Sequence, residues 1–396
     1  MSRHPLLPDS HPGADRNAEP LRFAYWVPNV SGGLVVSNLP QRTDHSPAYN
    51  VETAQVAERN GFEYALTQVR YLASYGADAQ HESTSFSINL LAHTEKINVI
   101  AAVHPGFWQP AVLAKMAATS QEISGGRFCL NVVSGWFKGE FISLGELWLD
   151  HEERYRRSQE FIEVLRGCWA EDGFSYRGDF YHTRDLTFRP QPTKTPEVFQ
   201  GGNSTSARRM AGKVSDWYFM NGNTFAGIHE QIVEVGGYAT ENQHKVRFGL
   251  NGFGVVRDTE AEAVHVVDDI IANADEEKVK GFGEAVKEAG QSTADKKGMW
   301  QDSEFKDLVQ YNDGFRTGLI GTPEQVARRA IAYKLVGVDL LLLGFLHIKE
   351  EVEAFGQRVI PLVRDLEAQL AAGADLDLGD EIEQALADVE RQAVTA

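Results

Sequence analysis

RFCLNVVSGW (Arg127–Trp136), followed after a short acidic loop by HEERY (His151–Tyr155), decides how the rest of the chain is read. Phe128–Val133 is a short apolar run with β-branched residues, bounded by Gly125–Gly126 and Gly135, and reads as a fully buried strand of a parallel sheet. Its C-terminal end carries Asn131, Ser134 and Trp136. Asp150–Arg166 has helical spacing, and His151 and Tyr155 stand four apart, on one face of its first turn. A strand end and a helix start thus direct an amide, a hydroxyl, an imidazole and a phenol to one place, a grip for a planar ligand bearing a phosphate. The plainer alternative makes His151 a cap of its own helix and Tyr155 a core residue.

Outward from this unit the same pattern repeats. Arg22–Val27 is a strand opening into the glycine-bearing loop VSGGLVVSNLPQRTD, and Asn50–Asn60 is helical with Gly61 ending it. FEYALTQ, helix Thr84–His93, INVIAAVHPG and helix Pro110–Ile123 follow. Strand–helix periods of similar length require parallel strands with helical crossovers. Downstream, GFSYRGDFYHTRDLTFRPQP reads as a two-stranded excursion, and EVFQGG, SDWYFMNG, VRFGLNGFGVVR and VDLLLLGF supply four more strands. The count of eight predicts an α/β protein, a (β/α)8 TIM barrel, occupying residues 21–370. Residues 272–318 break the pattern as an insertion and candidate lid. Residues 1–20 read as a flexible arm, Glu350–Leu370 as one long helix, and residues 371–396 as an acidic tail on the surface or against another subunit.

Composition narrows the function. The 396 residues are 42% hydrophobic and 24% charged, enough to bury a large core. With 38 basic against 56 acidic residues the formal charge is −18, which repels phosphate backbones and anionic lipid and excludes nucleic acid and membrane as natural partners. Cys129 and Cys168 are the only cysteines, too few for a disulfide framework and suited to a reducing cytoplasm. No apolar run approaches the roughly 20 residues of a membrane span, and no HExxH or Cys/His cluster suggests a metal.

GGNSTSARRM (Gly201–Met210) places Asn203, Ser204, Thr205 and Ser206 where a helix begins, either as an anion site or as a plain N-cap. GxxxxGK[ST] and GxGxxG are both absent, which disfavours ATP and a Rossmann-held nicotinamide and leaves an FMN-like phosphate. His81, His104, His151 and His347 fall near strand ends, where any one alone is more often a solvated loop histidine.

FAYWVPNVSGGLVVS, GFEYALTQ, NVVSGWFKGEF, HEERYRRS, FQGGNS, SDWYF and LVQYNDGFRTGLIGTP together resemble the flavin-dependent monooxygenases of the bacterial luciferase-like group, over roughly Arg22–Glu367. Within it, FAYWVPNVSGGLVVS and SGWFKGEF are similar to runs specific to the dimethyl sulfone monooxygenases; the alkanesulfonate monooxygenases are similar over the same span. The resemblance implies FMN used as FMNH2, supplied by a separate NAD(P)H:FMN reductase, O2 as co-substrate, a small neutral organosulfur substrate cleaved at a C–S bond to methanesulfinate and formaldehyde, and a homodimer or homotetramer. It implies flavin contacts at Thr67, Ala101, Asn131, Ser134, His151, Tyr155, Gly202, Asn203 and Ser204, and a non-proline cis peptide around Ala101–Ala102. Asn251 and Phe253 stand where the sulfonate enzymes carry Arg and His, so a pocket of Trp26, Trp136, Asn251, Phe253 and Phe345, poor in fixed positive charge, suits a sulfone. Trp26 closes the dry wall, and His81 or His347 meets the oxygen adduct. A deazaflavin-dependent reductase, which the wider group contains, and a flavin-binding protein without turnover are the rival expectations.

Overall fold

A computed structural model describes residues 6–8, 10–74, 76–291, 300 and 302–395. Eight parallel strands close into a barrel: β1 (Arg22–Val27), β2 (Tyr64–Thr67), β3 (Asn98–Val103), β4 (Phe128–Val132), β5 (Val198–Gly201), β6 (Trp217–Met220), β7 (Arg247–Phe253) and β8 (Leu340–Gly344). Each pairs with its sequence neighbour, and β8 closes on β1. Helices α1 (Pro47–Arg59), α2 (Ser83–Ala92), α3 (Pro110–Ser124), α4 (His151–Ala170), α5 (Thr205–Val214), α6 (Phe225–Glu241), α7 (Pro323–Leu335) and α8 (Ile348–Arg358) form the outer layer. The excursion after α4 is an antiparallel hairpin, Phe174–Arg177 with His182–Leu186.

Strand alternation divides the apolar residues into two cores. Ala24, Tyr64, Leu66, Ile100, Cys129, Phe199, Trp217, Phe219, Leu340 and Leu342 fill the barrel interior. The intervening residues, such as Ala65, Val99, Ala101, Leu341 and Leu343, join the larger core beneath the helices.

Three expectations change. The N-terminal arm is docked: Leu6, Leu7 and Ala14 are buried, His11 Nε2 meets the Ile232 carbonyl at 2.9 Å, and Arg16 pairs with Asp339 at 3.0 Å. Its Pro- and Asp-rich composition concealed these few anchors. The last long helix is two, α8 and Ile360–Ala371, because Pro361 has no N–H to continue the first. The acidic tail forms helix Asp380–Thr395, which buries Ile382 and Val389 beside the preceding Leu378 and packs against α6 and α7. Its acids occupy the opposite, solvated face.

Helix Glu260–Ala272 leads into the insertion, which is built of helix Glu276–Gln291, the turn Phe305–Leu308 and the 3-10 turn Gly314–Thr317. Val279, Phe282 and Val286, spaced three and four apart, form the buried stripe of helix Glu276–Gln291.

Candidate active site

A cavity of about 230 Å3 opens at the carboxyl ends of the strands, beside a polar cleft of about 40 Å3 that shares Gly202 and Asn203 with it. This is the face at which barrels of this kind place their chemistry. Asp150 caps α4, accepting from Glu153 N at 2.8 Å while the Glu153 carboxylate accepts from Asp150 N. That capping box sets His151 and Tyr155 on one face, with ring centroids 4.9 Å apart. The Ser134 and Ser158 hydroxyls, 2.8 Å apart, tie the end of β4 to α4. Opposite, Ser204 caps α5 by accepting from Ala207 N at 3.3 Å. Gly202, Asn203 and Ser204 at that helix start line the cavity, and the first N–H groups of a helix have no partner within it. Gly202 has φ +137°, and a Cβ there would lie 2.5 Å from the Tyr155 hydroxyl, so a side chain would close the gap between α4 and α5.

Asn131, Ser134, His151, Tyr155, Gly202, Asn203, Ser204, Trp26, Trp136 and Asn251 all line this cavity. Trp26 Nε1 donates to Asn251 Oδ1 at 3.0 Å, and Asn251 Nδ2 donates to the Met220 carbonyl at 2.8 Å, which locks both side chains into the wall.

The other expected site residues lie elsewhere, mostly by one step of strand parity. Ala102 lines the cavity, whereas Ala101 faces the helices. Thr67 likewise turns outward, its hydroxyl 2.9 Å from Ser87 Oγ of α2, while Leu66 faces in. Phe345 is out of phase with Leu342 and packs its ring on Phe62 and Phe355. Gln80, bridged to Val30, lines the cavity; its neighbour His81 stacks on Phe86 with ring centroids 5.0 Å apart. Phe253 has the phase of Asn251 but is fully buried, roofed by the 3-10 turn of the insertion, with Phe315 at 5.1 Å. His347 precedes α8, and its Nδ1 accepts from Arg42 N at 3.0 Å, outside the cavity; burial holds its pKa below the usual imidazole value. Among the described residues the only cis peptide is Arg189–Pro190, so Ala101–Ala102 is trans.

Several lining residues were not foreseen. The insertion contributes Phe282, Val286, Trp300, Gln310 and Tyr311, and Trp136 meets Phe282 and Trp300 edge-on at 5.7 and 5.9 Å. The helical stripe Val279–Phe282–Val286 was the readable signal. Arg70 and Arg154 bring positive charge into a pocket expected to have little. No Asp or Glu lines it among the described residues.

The polar atoms suit a flat, phosphate-bearing heteroaromatic ring. Asn131 Oδ1 is buried without a hydrogen-bond partner and can accept a ring N–H. Arg154, 2% exposed, lines the same cavity and has an unpartnered Nε, while its Nη1 donates to the Leu149 carbonyl at 2.7 Å and its guanidinium carbon lies 4.0 Å from the Trp148 ring centroid. Gln80 Oε1 is a further unpartnered acceptor in the lining. No group of His, Cys, Asp and Glu among the described residues could hold a metal ion.

Eight parallel strands closed into a barrel, with a cavity at their carboxyl ends lined by Gly202, Asn203 and Ser204 and roofed by Trp136, Phe282 and Trp300, define a (β/α)8 barrel with its ligand cavity at the face where such barrels place their chemistry. Residues 21–340 match the family model described as luciferase-like monooxygenase, and the chain belongs to that family. It is 57% identical over 357 residues to an FMNH(2)-dependent dimethylsulfone monooxygenase of Pseudomonas putida, covering 90% of this chain and 98% of the relative. It is equally 57% identical over 349 residues to the protein of that name from Pseudomonas fluorescens (strain Pf0-1), covering 88% and 96%. Among solved structures, a riboflavin lyase superposes with a TM-score of 0.77 at 18% identity, covering 88% of this chain and 92% of its own, a likeness of fold.

Proposed function

We propose that the protein is an FMNH2- and O2-dependent monooxygenase that cleaves a C–S bond of dimethyl sulfone, giving methanesulfinate and formaldehyde. The observation that carries this reading is the 57% identity, spanning 90% of the chain, to an enzyme named for that substrate. Reduced FMN supplies the two electrons for activating dioxygen, one atom of which ends in formaldehyde and the other in water.

The protein's residues bind, orient and exclude water. His151, Arg154, Tyr155 and Ser204 would hold the phosphate, the hydroxyls donating and the guanidinium offsetting its charge. Asn131 Oδ1 would accept from the ring, which gives a buried acceptor its missing partner. Trp26, Trp136, Phe282 and Trp300 form an apolar enclosure that keeps water from the reacting atoms. FMNH2 comes from a separate NAD(P)H:FMN reductase, because the chain has no nicotinamide motif.

No helix among the described residues is long and apolar enough to cross a membrane. Two buried, unpaired cysteines support a cytoplasmic location. Exposed Ile142, Leu144 and Leu147, close together in the segment before α4, support a homodimer or homotetramer, to be measured by light scattering.

Oxygen uptake and formaldehyde release with dimethyl sulfone, NADH and any NADH:FMN reductase test the activity. Turnover should require all components. NADH oxidation without the reductase, or oxygen uptake indifferent to the sulfone, would refute the reading.

A further inference from the structure

Gln310 stands in the insertion between the turn Phe305–Leu308 and the 3-10 turn Gly314–Thr317; it lines the cavity and is 2% exposed. Its backbone is held by the loop after β1, through a bridge to Val35 and a bond from Val36 N to the Val309 carbonyl at 2.8 Å. Its side-chain oxygen is held from within the insertion: Oε1 accepts from Gly314 N at 2.7 Å and from Asn312 N at 3.1 Å. A Cβ on Gly314 would lie 2.7 Å from that oxygen, so the glycine lets the amide seat against the turn. With Oε1 committed to two N–H groups, the network assigns which end of the amide is which. The remaining end, Nε2, has no partner among the described residues and stays accessible on a side chain that is otherwise buried.

Asn131 Oδ1 and Gln80 Oε1, which also lack partners, are acceptors. A dialkyl sulfone has no N–H or O–H and carries two strongly polarised oxygens, so these acceptors cannot serve it and a donor can. Its oxygens lose their water on entering an enclosure of Trp26, Trp136, Phe282 and Trp300, and a buried acceptor left without a donor is costly. An amide N–H meets that need without a unit charge. It therefore lacks the charge-assisted grip that would favour an anionic sulfinate product over the neutral substrate.

We propose that Gln310 Nε2 donates to a sulfonyl oxygen of the bound substrate, which makes Gln310 the residue by which the site recognises an S=O group. The proposal rests on the organosulfur reading above. Because the donor belongs to the insertion, the segment that roofs the cavity also reads the substrate.

The test compares wild type, Gln310→Glu and Gln310→Met. Glutamate keeps an oxygen for the Asn312 and Gly314 N–H groups and removes the donor, whereas methionine removes both. Binding of dimethyl sulfone and of dimethyl sulfide, which has the same methyl groups and no oxygen, is measured by ligand-observed NMR titration with saturating FMN and no reductase, hence without turnover. Wild type should prefer the sulfone, and in both variants that preference should fall by about 3- to 10-fold or more, the worth of one neutral hydrogen bond. In turnover, the KM for dimethyl sulfone should rise more than kcat falls. Gln310→Glu keeps the hydrogen bonds of the turn, so the test stands even where Gln310→Met does not fold. An undiminished sulfone preference in Gln310→Glu would overturn the proposal, as would equal losses for sulfone and sulfide, which a loosened roof would give. A fall in reduced-riboflavin affinity matching the fall for the sulfone would assign the donor to the flavin ring and overturn it too. Oxygen uptake is read separately: a protein that binds the sulfone through Gln310 but takes up no oxygen with it refutes the proposed reaction and leaves the donor standing.

Discussion

Ser204→Asp separates the two tasks that converge on one side chain. Ser204 is 4% exposed and caps α5 through its bond from Ala207 N, while the same hydroxyl faces the cavity. Aspartate is as good an N-cap as serine, so the helix should keep its start, and thermal stability should change little or rise slightly with the added charge at the positive end of the helix. Alanine, by contrast, should cost about 0.5–2 kcal/mol of stability through loss of the cap. Binding moves the other way. Two unit charges about 4 Å apart at an effective dielectric near 20 repel by about 4 kcal/mol, so a carboxylate beside the phosphate should weaken FMNH2 binding by about a thousandfold. Reduced riboflavin has the same ring and no phosphate and should bind wild type and variant nearly equally. Anaerobic titrations of both ligands, with melting curves, measure this. Unchanged FMNH2 affinity in a folded Ser204→Asp protein, or equal losses for FMNH2 and riboflavin, would remove the phosphate from the α5 start.

Tyr155→Phe should cost about 1.5–3 kcal/mol in FMNH2 affinity, one hydrogen bond to a charged group, and leave riboflavin binding unaffected; the same titrations decide it. Gly202→Ala should lower both flavin affinity and stability, because the new Cβ must displace the Tyr155 hydroxyl at a left-handed backbone position; fluorescence titration and melting of this variant report the two losses. Asp313 links Ser303 of the insertion to Asn221 at the end of β6, and burial pushes its carboxyl up to about 7. Since the folded protein holds that proton more tightly than the unfolded chain, this group's contribution to stability is complete below about pH 4 and is lost as pH rises to about 7. Asp313→Asn should remove that slope and raise the melting temperature above pH 7, because the Asn221 amide, whose Oδ1 is unpartnered, can turn to meet the new amide; melting curves parallel to wild type across this window would refute it.

The order and kind of the barrel elements were legible along the chain because each depends on local pattern. Short apolar runs gave all eight strands, helical spacing gave the crossovers, and the run Asn203–Ser206 marked a helix start by side-chain chemistry, whereas the cap of α4 is Asp150 and not His151. Side-chain direction at the barrel mouth was not legible. Whether Leu66 or Thr67, Ala101 or Ala102, Gln80 or His81 faces the cavity turns on single steps of alternation, which closure of the barrel fixes and local spacing leaves open. The roof was hidden for a related reason: Phe282, Trp300 and Tyr311 belong to an insertion with weak periodicity, and only its folding over the strand ends brings them to Trp136 and Arg70. Arg70 reads along the chain as one more loop cation, and it becomes a site residue only when a carboxylate 70 positions away, Glu140, anchors its loop beneath that roof. Local pattern determines which segments become strands and helices, because it acts through neighbours in sequence; the composition of the cavity is decided by contacts between residues far apart in the chain, which exist only after the barrel closes.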